Sequence, residues 1–202
     1  GTDSAGHALT AQARADLDRR VAQRRVELDE LSTLRVITPD VAVKNELELF
    51  LGGRRIQVKN RGRAHSPDDV TVYLPLEGVL FSGDIVVQAP MPFTMATWPV
   101  EWSAVLHDVE SERVTALMPG HGPVMRDLSY ARAVHALIDS VTSQVSTFLA
   151  RGMTLEQIQQ SVDVTRLRAG SPAWSGSALD NDWKMTVRAL VERAWHELRG
   201  LD

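Results

Sequence analysis

The sequence contains no cysteine. That excludes disulfides, thiolate nucleophiles and cysteine-held metals, and leaves His, Asp, Glu and backbone oxygen as the only metal donors. It has no run of ~18 apolar residues, so no membrane-spanning helix of the usual kind is encoded. Neither sign of charge dominates: 22 Lys and Arg face 26 Asp and Glu, and a net charge of −4 offers no basic footprint for nucleic acid. The opening "GTDSAGHALTAQARADLDRR" lacks the apolar centre of a secretory leader, which tilts the expectation toward the cytoplasm. Repeats and low-complexity tracts are missing too. What is there, 44% apolar and 24% charged over 202 residues, is a globular composition with enough chain for a real core.

Periodicity divides the chain coarsely. Leu9, Ala13, Leu17 and Val21 recur every fourth residue and predict a surface helix with one buried stripe. "LRVITPDVAV" is β-branched but broken by Pro39, and reads as short strands or an extended connection. Leu47, Leu49 and Leu51 alternate before Gly52-Gly53, and Ile56 and Val58 alternate after it, which predicts a hairpin. "DVTVYLP" and "GVLFSGD" flank a second turn, with strands apolar enough to be central. "PVEWSAVLHDVES" places Trp102, Val105, Leu106 and Val109 on one helical side, and "RVTALMPG" reads as a short buried strand ending in a loop.

The remainder is helical. Tyr130, Val134, Leu137, Val141, Val145 and Phe148 form a stripe stopped by Gly152. Thr154 and Gln157 form a capping-box pair. A loop rich in Ser, Gly and Ala (169–181) precedes a last helix with Trp183, Val187, Leu190, Val191, Ala194 and Leu198 on one face. The fold class is α/β, with helices appended at the C-terminal end.

His65, Asp84 and His121 each stand where a loop meets a strand end. Strand ends let side chains from separate strands converge while the core beneath stays packed. Two imidazoles and a carboxylate suit zinc or iron. Each residue also has an ordinary reading: a solvated loop His, a turn-forming Asp, a turn at Gly-His-Gly. His107, His135 and His196 fall on predicted helices and read as structural. Asp69 is placed to support the His65 loop by hydrogen bonding. The apolar loop "QAPMPFTMATWP", with Met91, Phe93, Met95 and Trp98, reads either as a pocket mouth or as packing on the sheet.

In order and separation, "GRAHSPDDVTVYLP", "VLFSGD" and "LMPGHGPV" resemble the second half of the metallo-β-lactamase superfamily. The resemblance implies part of an αββα sandwich: residues 1–125 as the later portion of such a domain and 126–202 as a helical extension packed on it. It implies that His65 holds the first metal. Asp84 would bridge or hold the second and contribute to catalysis, and His121 would hold the second. The implied activity is hydrolysis by metal-activated water at an ester, thioester, amide or similar bond of a small molecule. The implied cofactor is zinc, two ions in the whole site and at most one, weakly, here; iron is the alternative, with redox chemistry.

The family's principal signature, H-x-H-x-D-H, has no counterpart, since no two of the six histidines lie two residues apart. The chain thus resembles the family with its first half missing. Val87 stands where related zinc β-lactamases carry a Lys for the drug's carboxylate. The competing expectation is an inert module of the same fold whose open strand edge pairs with a second copy or a complementing fragment. Nucleic-acid and membrane partners are not expected.

Overall fold

The computed structural model describes residues 8–88, 94 and 96–201. They fall into two compact units, residues 1–42 and 43–202. The first holds one helix, α1 (Ala11–Thr33), followed by an extended connection to residue 42. Thr10 caps α1 by accepting from the Ala13 amide at 3.1 Å. The predicted buried stripe is not buried: Leu17 and Val21 are more than two-fifths exposed, and no α1 residue is buried. A unit holding a single helix has no second element with which to cover an apolar face.

In the second unit the chain runs β1 (Glu46–Leu51), β2 (Arg54–Gly62), β3 (Asp69–Leu74), β4 (Val79–Val87), α2 (Pro99–Ser111), β5 (Ala116–His121) and α3 (Ser129–Ala150). It continues through α4 (Leu155–Ser161) and α5 (Thr165–Gly170) to α6 (Asp180–Leu198). The five strands form one sheet in sequence order. β1 to β4 are antiparallel, and β5 lies parallel to β4. A parallel pair cannot be joined by a tight turn, so α2 makes the crossover. Both predicted hairpins are present. Gly52 and Gly53 have φ of 57° and 77°, the left-handed pair that a two-residue hairpin turn requires.

Thr71, Tyr73, Leu80, Ser82 and Leu117 are buried on one sheet face, and α2, α3 and α6 form the helical layer with which the core is shared. Trp102, Leu106 and Val109 of α2 are fully buried, as the stripe predicts. The α2 N-terminus is closed by Glu197 of α6, whose carboxylate accepts from the Val100 and Glu101 amides at 2.8 and 3.0 Å. Between α2 and α3, His135 Nδ1 lies 2.8 Å from Glu110 and Nε2 lies 3.3 Å from Ser103 Oγ, a helix-joining role that agrees with its structural reading. The Thr154–Gln157 capping box is formed. The predicted loop at 169–181 contains more order than its composition suggests, with single 3₁₀ turns at Pro172–Trp174 and Ser177–Leu179. Trp174 is buried there against Tyr130 and Trp183, and Arg168 ties the segment down through the Trp174 and Gly176 carbonyls.

Beneath β2 an ion pair is almost entirely shut from solvent. Arg61 donates to Glu112 at 2.8 Å and to Thr71 Oγ1 at 2.8 Å, and also pairs with Asp108. Lys59 lies 3.1 Å from the same Glu112 oxygen. This network fixes the α2 C-terminus to the sheet and so holds the crossover to β5.

Candidate metal centre

Three loops meet at one rim of the sheet. The first leaves β2 through Gly62, whose φ is 79°, and runs through the fully buried Ala64 to His65. Asp69, at the start of β3, is buried and folds this loop back. Its Oδ2 accepts from the Ser66 amide at 2.7 Å and its Oδ1 from Ser66 Oγ at 2.9 Å. The Ala64 carbonyl accepts from the Trp98 amide at 2.8 Å. The His65 ring meets Trp102 edge-on, with centroids 5.8 Å apart.

Asp84 is delivered by an irregularity in β4. The β4–β5 register runs from Phe81↔Met118 to Gly83↔Pro119 and then jumps to Val87↔His121. Gly83 sits in the break at φ 52°. Such an interruption re-aims a side chain that a regular strand would send elsewhere. The carboxylate lies directly over Gly120, where an added Cβ would stand only 1.9 Å from Oδ1. Glycine at 120 is thus the condition for Asp84 to occupy its place.

His121 ends β5. Its carbonyl accepts from the Gln88 amide at 3.0 Å, and Gly122, at φ 114°, turns the chain away against Gln88. The adjoining Val87 carbonyl accepts from Tyr130 Oη at 3.0 Å, which braces this corner from α3. Burial pushes the Tyr130 phenol above its ordinary 10.0.

The rim therefore brings all three sequence-predicted residues together. Asp84 Oδ2 lies 3.8 Å from His65 Nδ1, and Asp84 Oδ1 lies 3.8 Å from His121 Nε2. One carboxylate thus addresses two imidazoles through different oxygens. Side-chain exposure rises from 14% at His65 through 36% at Asp84 to 67% at His121. The inner wall is packed and the outer wall is open. The donor chemistry suits zinc or iron. Among the described residues, however, no group of three His, Asp or Glu side chains closes around a single ion. Each oxygen of Asp84 faces one imidazole, which gives two donors toward either of two positions.

A sequence profile described as the metallo-beta-lactamase superfamily matches residues 4–140. The chain belongs to the metallo-β-lactamase superfamily. Among solved structures it is similar to a metallo-beta-lactamase from Pontibacter korlensis, at 27% identity over 51% of this chain and 50% of that one, with a TM-score of 0.46. It is also similar to the inverting sec-alkylsulfatase Pisa1 from Pseudomonas sp., at 17% identity over 78% of this chain and 27% of that one, TM-score 0.56. The second likeness is one of fold. The chain spans about half the length of the first protein and about a quarter of the second. No protein with a curated description matches it.

Sequence reasoning did not single out Gly120 as a packing partner of Asp84. The "PGHG" motif contained the signal, but its meaning depends on the β4–β5 break. Trp102 was legible as core and is also the wall behind His65. Of the apolar loop, Met91, Phe93 and Met95 lie outside the described residues. Trp98 is held between the Arg63 and Arg193 guanidiniums, 5.6 and 5.5 Å from its ring centre. Val87 is buried, so it offers no grip on a ligand.

Proposed function

We propose that this chain contributes part of the active site of a metal-dependent hydrolase acting on a small molecule with an ester, thioester, amide or similar bond. The observation that carries this reading is the convergence of His65, Asp84 and His121 on one rim, with Asp84 between the two imidazoles. His65 would hold a metal through Nδ1, His121 through Nε2, and Asp84 through one oxygen toward each. A metal held there would supply Lewis acidity and lower the pKa of bound water toward ~7.

The chain's own residues set the conditions for that chemistry. Asp69 and Trp102 fix the His65 loop and ring, so this donor loses little freedom on binding. Gly120 leaves room for the Asp84 carboxylate, which is placed between the two imidazoles to take a proton there. Core packing behind His65 keeps water off one side, and the exposed His121 side admits substrate. A zincin-like single site needs about three protein donors and an open position; two per position leaves room for donors from outside this chain. Zinc is the metal we favour for this donor set, with iron second.

The test is equilibrium dialysis against zinc with metal analysis, alongside zinc-dependent hydrolysis of activated esters and thioesters. Zinc retention lost in Asp84→Ala, with the fold intact, supports the reading. Equal retention by Asp84→Ala contradicts it. The second reading, an inert module of the same fold, is favoured by the lack of any three-donor group among the described residues. Zinc bound at the rim without hydrolysis of any panel member would support that reading.

A further inference from the structure

Helix α2 begins without a cap of its own. Trp98, at its N-cap position, makes no side-chain capping bond, and Pro99 follows it. The open amides of the first turn, Val100 and Glu101, are taken instead by the Glu197 carboxylate of α6. Two more bonds join α6 to the segment just before. Arg193 Nε donates to the Thr97 carbonyl at 2.8 Å, and Thr94 Oγ1 donates to the Thr186 carbonyl at 3.2 Å. Both threonines are buried. The start of α2 is thus set by a helix almost a hundred residues later, not by its own sequence.

What α6 holds is tied in turn to the His65 loop. The Trp98 amide donates to the Ala64 carbonyl, one residue before His65. Arg63, two residues before His65, pairs with Glu101 and lies over the Trp98 ring, which the Arg193 guanidinium also faces. One turn along α2 stands Trp102, edge-on to the His65 ring. The His121 corner is supported differently, by α3 through Tyr130 and the Val87 carbonyl.

We propose that α6 positions the His65 donor of the metal centre, with Arg193 as a positioning residue that acts through Thr97 and Trp98. The consequence for zinc rests on the metal reading given above; the placing of His65 does not. Arg193→Met keeps an aliphatic stem but loses the donor to Thr97 and the charge over Trp98. Held less firmly, the Trp98 amide no longer fixes the Ala64 carbonyl, and the imidazole next along the chain shifts.

The test is histidine-ring nuclear magnetic resonance of the whole metal-free chain, followed by zinc affinity from chelator competition. In Arg193→Met the His65 ring resonances are expected to move while those of His121 stay, and zinc affinity is expected to fall about 10-fold. Arg193→Lys, which keeps a cationic donor, returns the His65 resonances toward their wild-type positions. Ile158→Ala, a fully buried site on α4, lowers Tm and leaves both the His65 resonances and the zinc affinity unchanged, which separates positioning from plain stability. Glu197→Ala, which strips the acceptor from Val100 and Glu101, is expected to move His65 in the same way and keeps the test decisive if Arg193→Met does not fold. His65 resonances unmoved in the folded variant overturn the proposal. So does an equal movement of His121, or an equal movement of His65 in Ile158→Ala. A wild-type chain that retains no zinc counts against the metal centre, while the ring resonances still decide the role of Arg193.

Discussion

Replacing Gly120 by alanine perturbs the rim with one methyl group. The new Cβ would stand 1.9 Å from Asp84 Oδ1, 3.0 Å from its Cγ and 2.9 Å from the Gly83 carbonyl carbon. Ordinary van der Waals contact starts near 3.4 Å, so Oδ1 must retreat by about 1.5 Å. Side-chain rotation accommodates part of this. The Gly83 contact is backbone and must open by several tenths of an ångström at the point where β4 is already irregular. Overpacking of this kind costs about 1–3 kcal/mol, and each kcal/mol lowers Tm by about 2–4 °C in a chain of this size. The larger effect is local, because a carboxylate displaced by that much no longer keeps its 3.8 Å relation to His121 Nε2. Zinc affinity, measured by competition with a chromophoric chelator, is expected to fall about 10- to 100-fold, as when the support of a metal ligand is lost. Gly152→Ala serves as the control. It strains a left-handed residue at φ 75° but meets nothing within 4 Å and lies at the far end of α3. It is expected to cost stability without changing zinc affinity. Wild-type zinc affinity in a folded Gly120→Ala variant refutes the argument.

Three further outcomes follow from the same contacts. Asp69→Ala removes the acceptors of both the Ser66 amide and hydroxyl and is expected to cost about 1–3 kcal/mol, with faster hydrogen exchange at Ser66; unchanged exchange there would show that Asp69 does not hold the loop. Arg61→Met leaves Glu112 buried with Lys59 as its remaining partner and is expected to cost about 3 kcal/mol by urea unfolding; adding Glu112→Leu recovers most of it, and a single-variant cost below about 0.5 kcal/mol would mean the pair is inert. Tyr130→Phe strips partners from the Val87 carbonyl and Trp174 Nε1 and is expected to cost about 1–3 kcal/mol at pH 7. Because the folded phenol titrates above its ordinary 10.0, its protonated form contributes fully below pH 10 and that contribution drains away as pH rises past 10. Wild type should therefore lose stability above pH 10 more steeply than Tyr130→Phe, and parallel pH curves would contradict this.

The hairpins and α2 were legible because each depends on neighbours in sequence. Gly52-Gly53 supplies the turn, period-two leucines supply the strands, and Trp102 to Val109 supply a helical face. His65, Asp84 and His121 were grouped by motif, but only His121 ends a strand as expected: Asp84 lies inside β4 at its irregularity, and His65 lies in the loop between β2 and β3. What escaped the sequence depends on register or on distant partners. Gly120 matters because the β4–β5 ladder slips beside it. Arg61 finds Glu112 across 51 residues. The α1 stripe was read correctly as a pattern, but a pattern does not say whether anything covers it. The 3₁₀ turns after α5 exist because Trp174 is drawn into the core, which composition alone hides.

The central claim is that His65 and His121 each bind metal together with Asp84, one through each of its carboxylate oxygens. The most direct measurement is histidine side-chain nuclear magnetic resonance of the whole chain during addition of zinc. The His65 and His121 rings are expected to respond together and first, with His107 and His135 unmoved, and the response is expected to vanish in Asp84→Ala. Zinc that moves His107 or His135 first, or moves His121 alone, would contradict it.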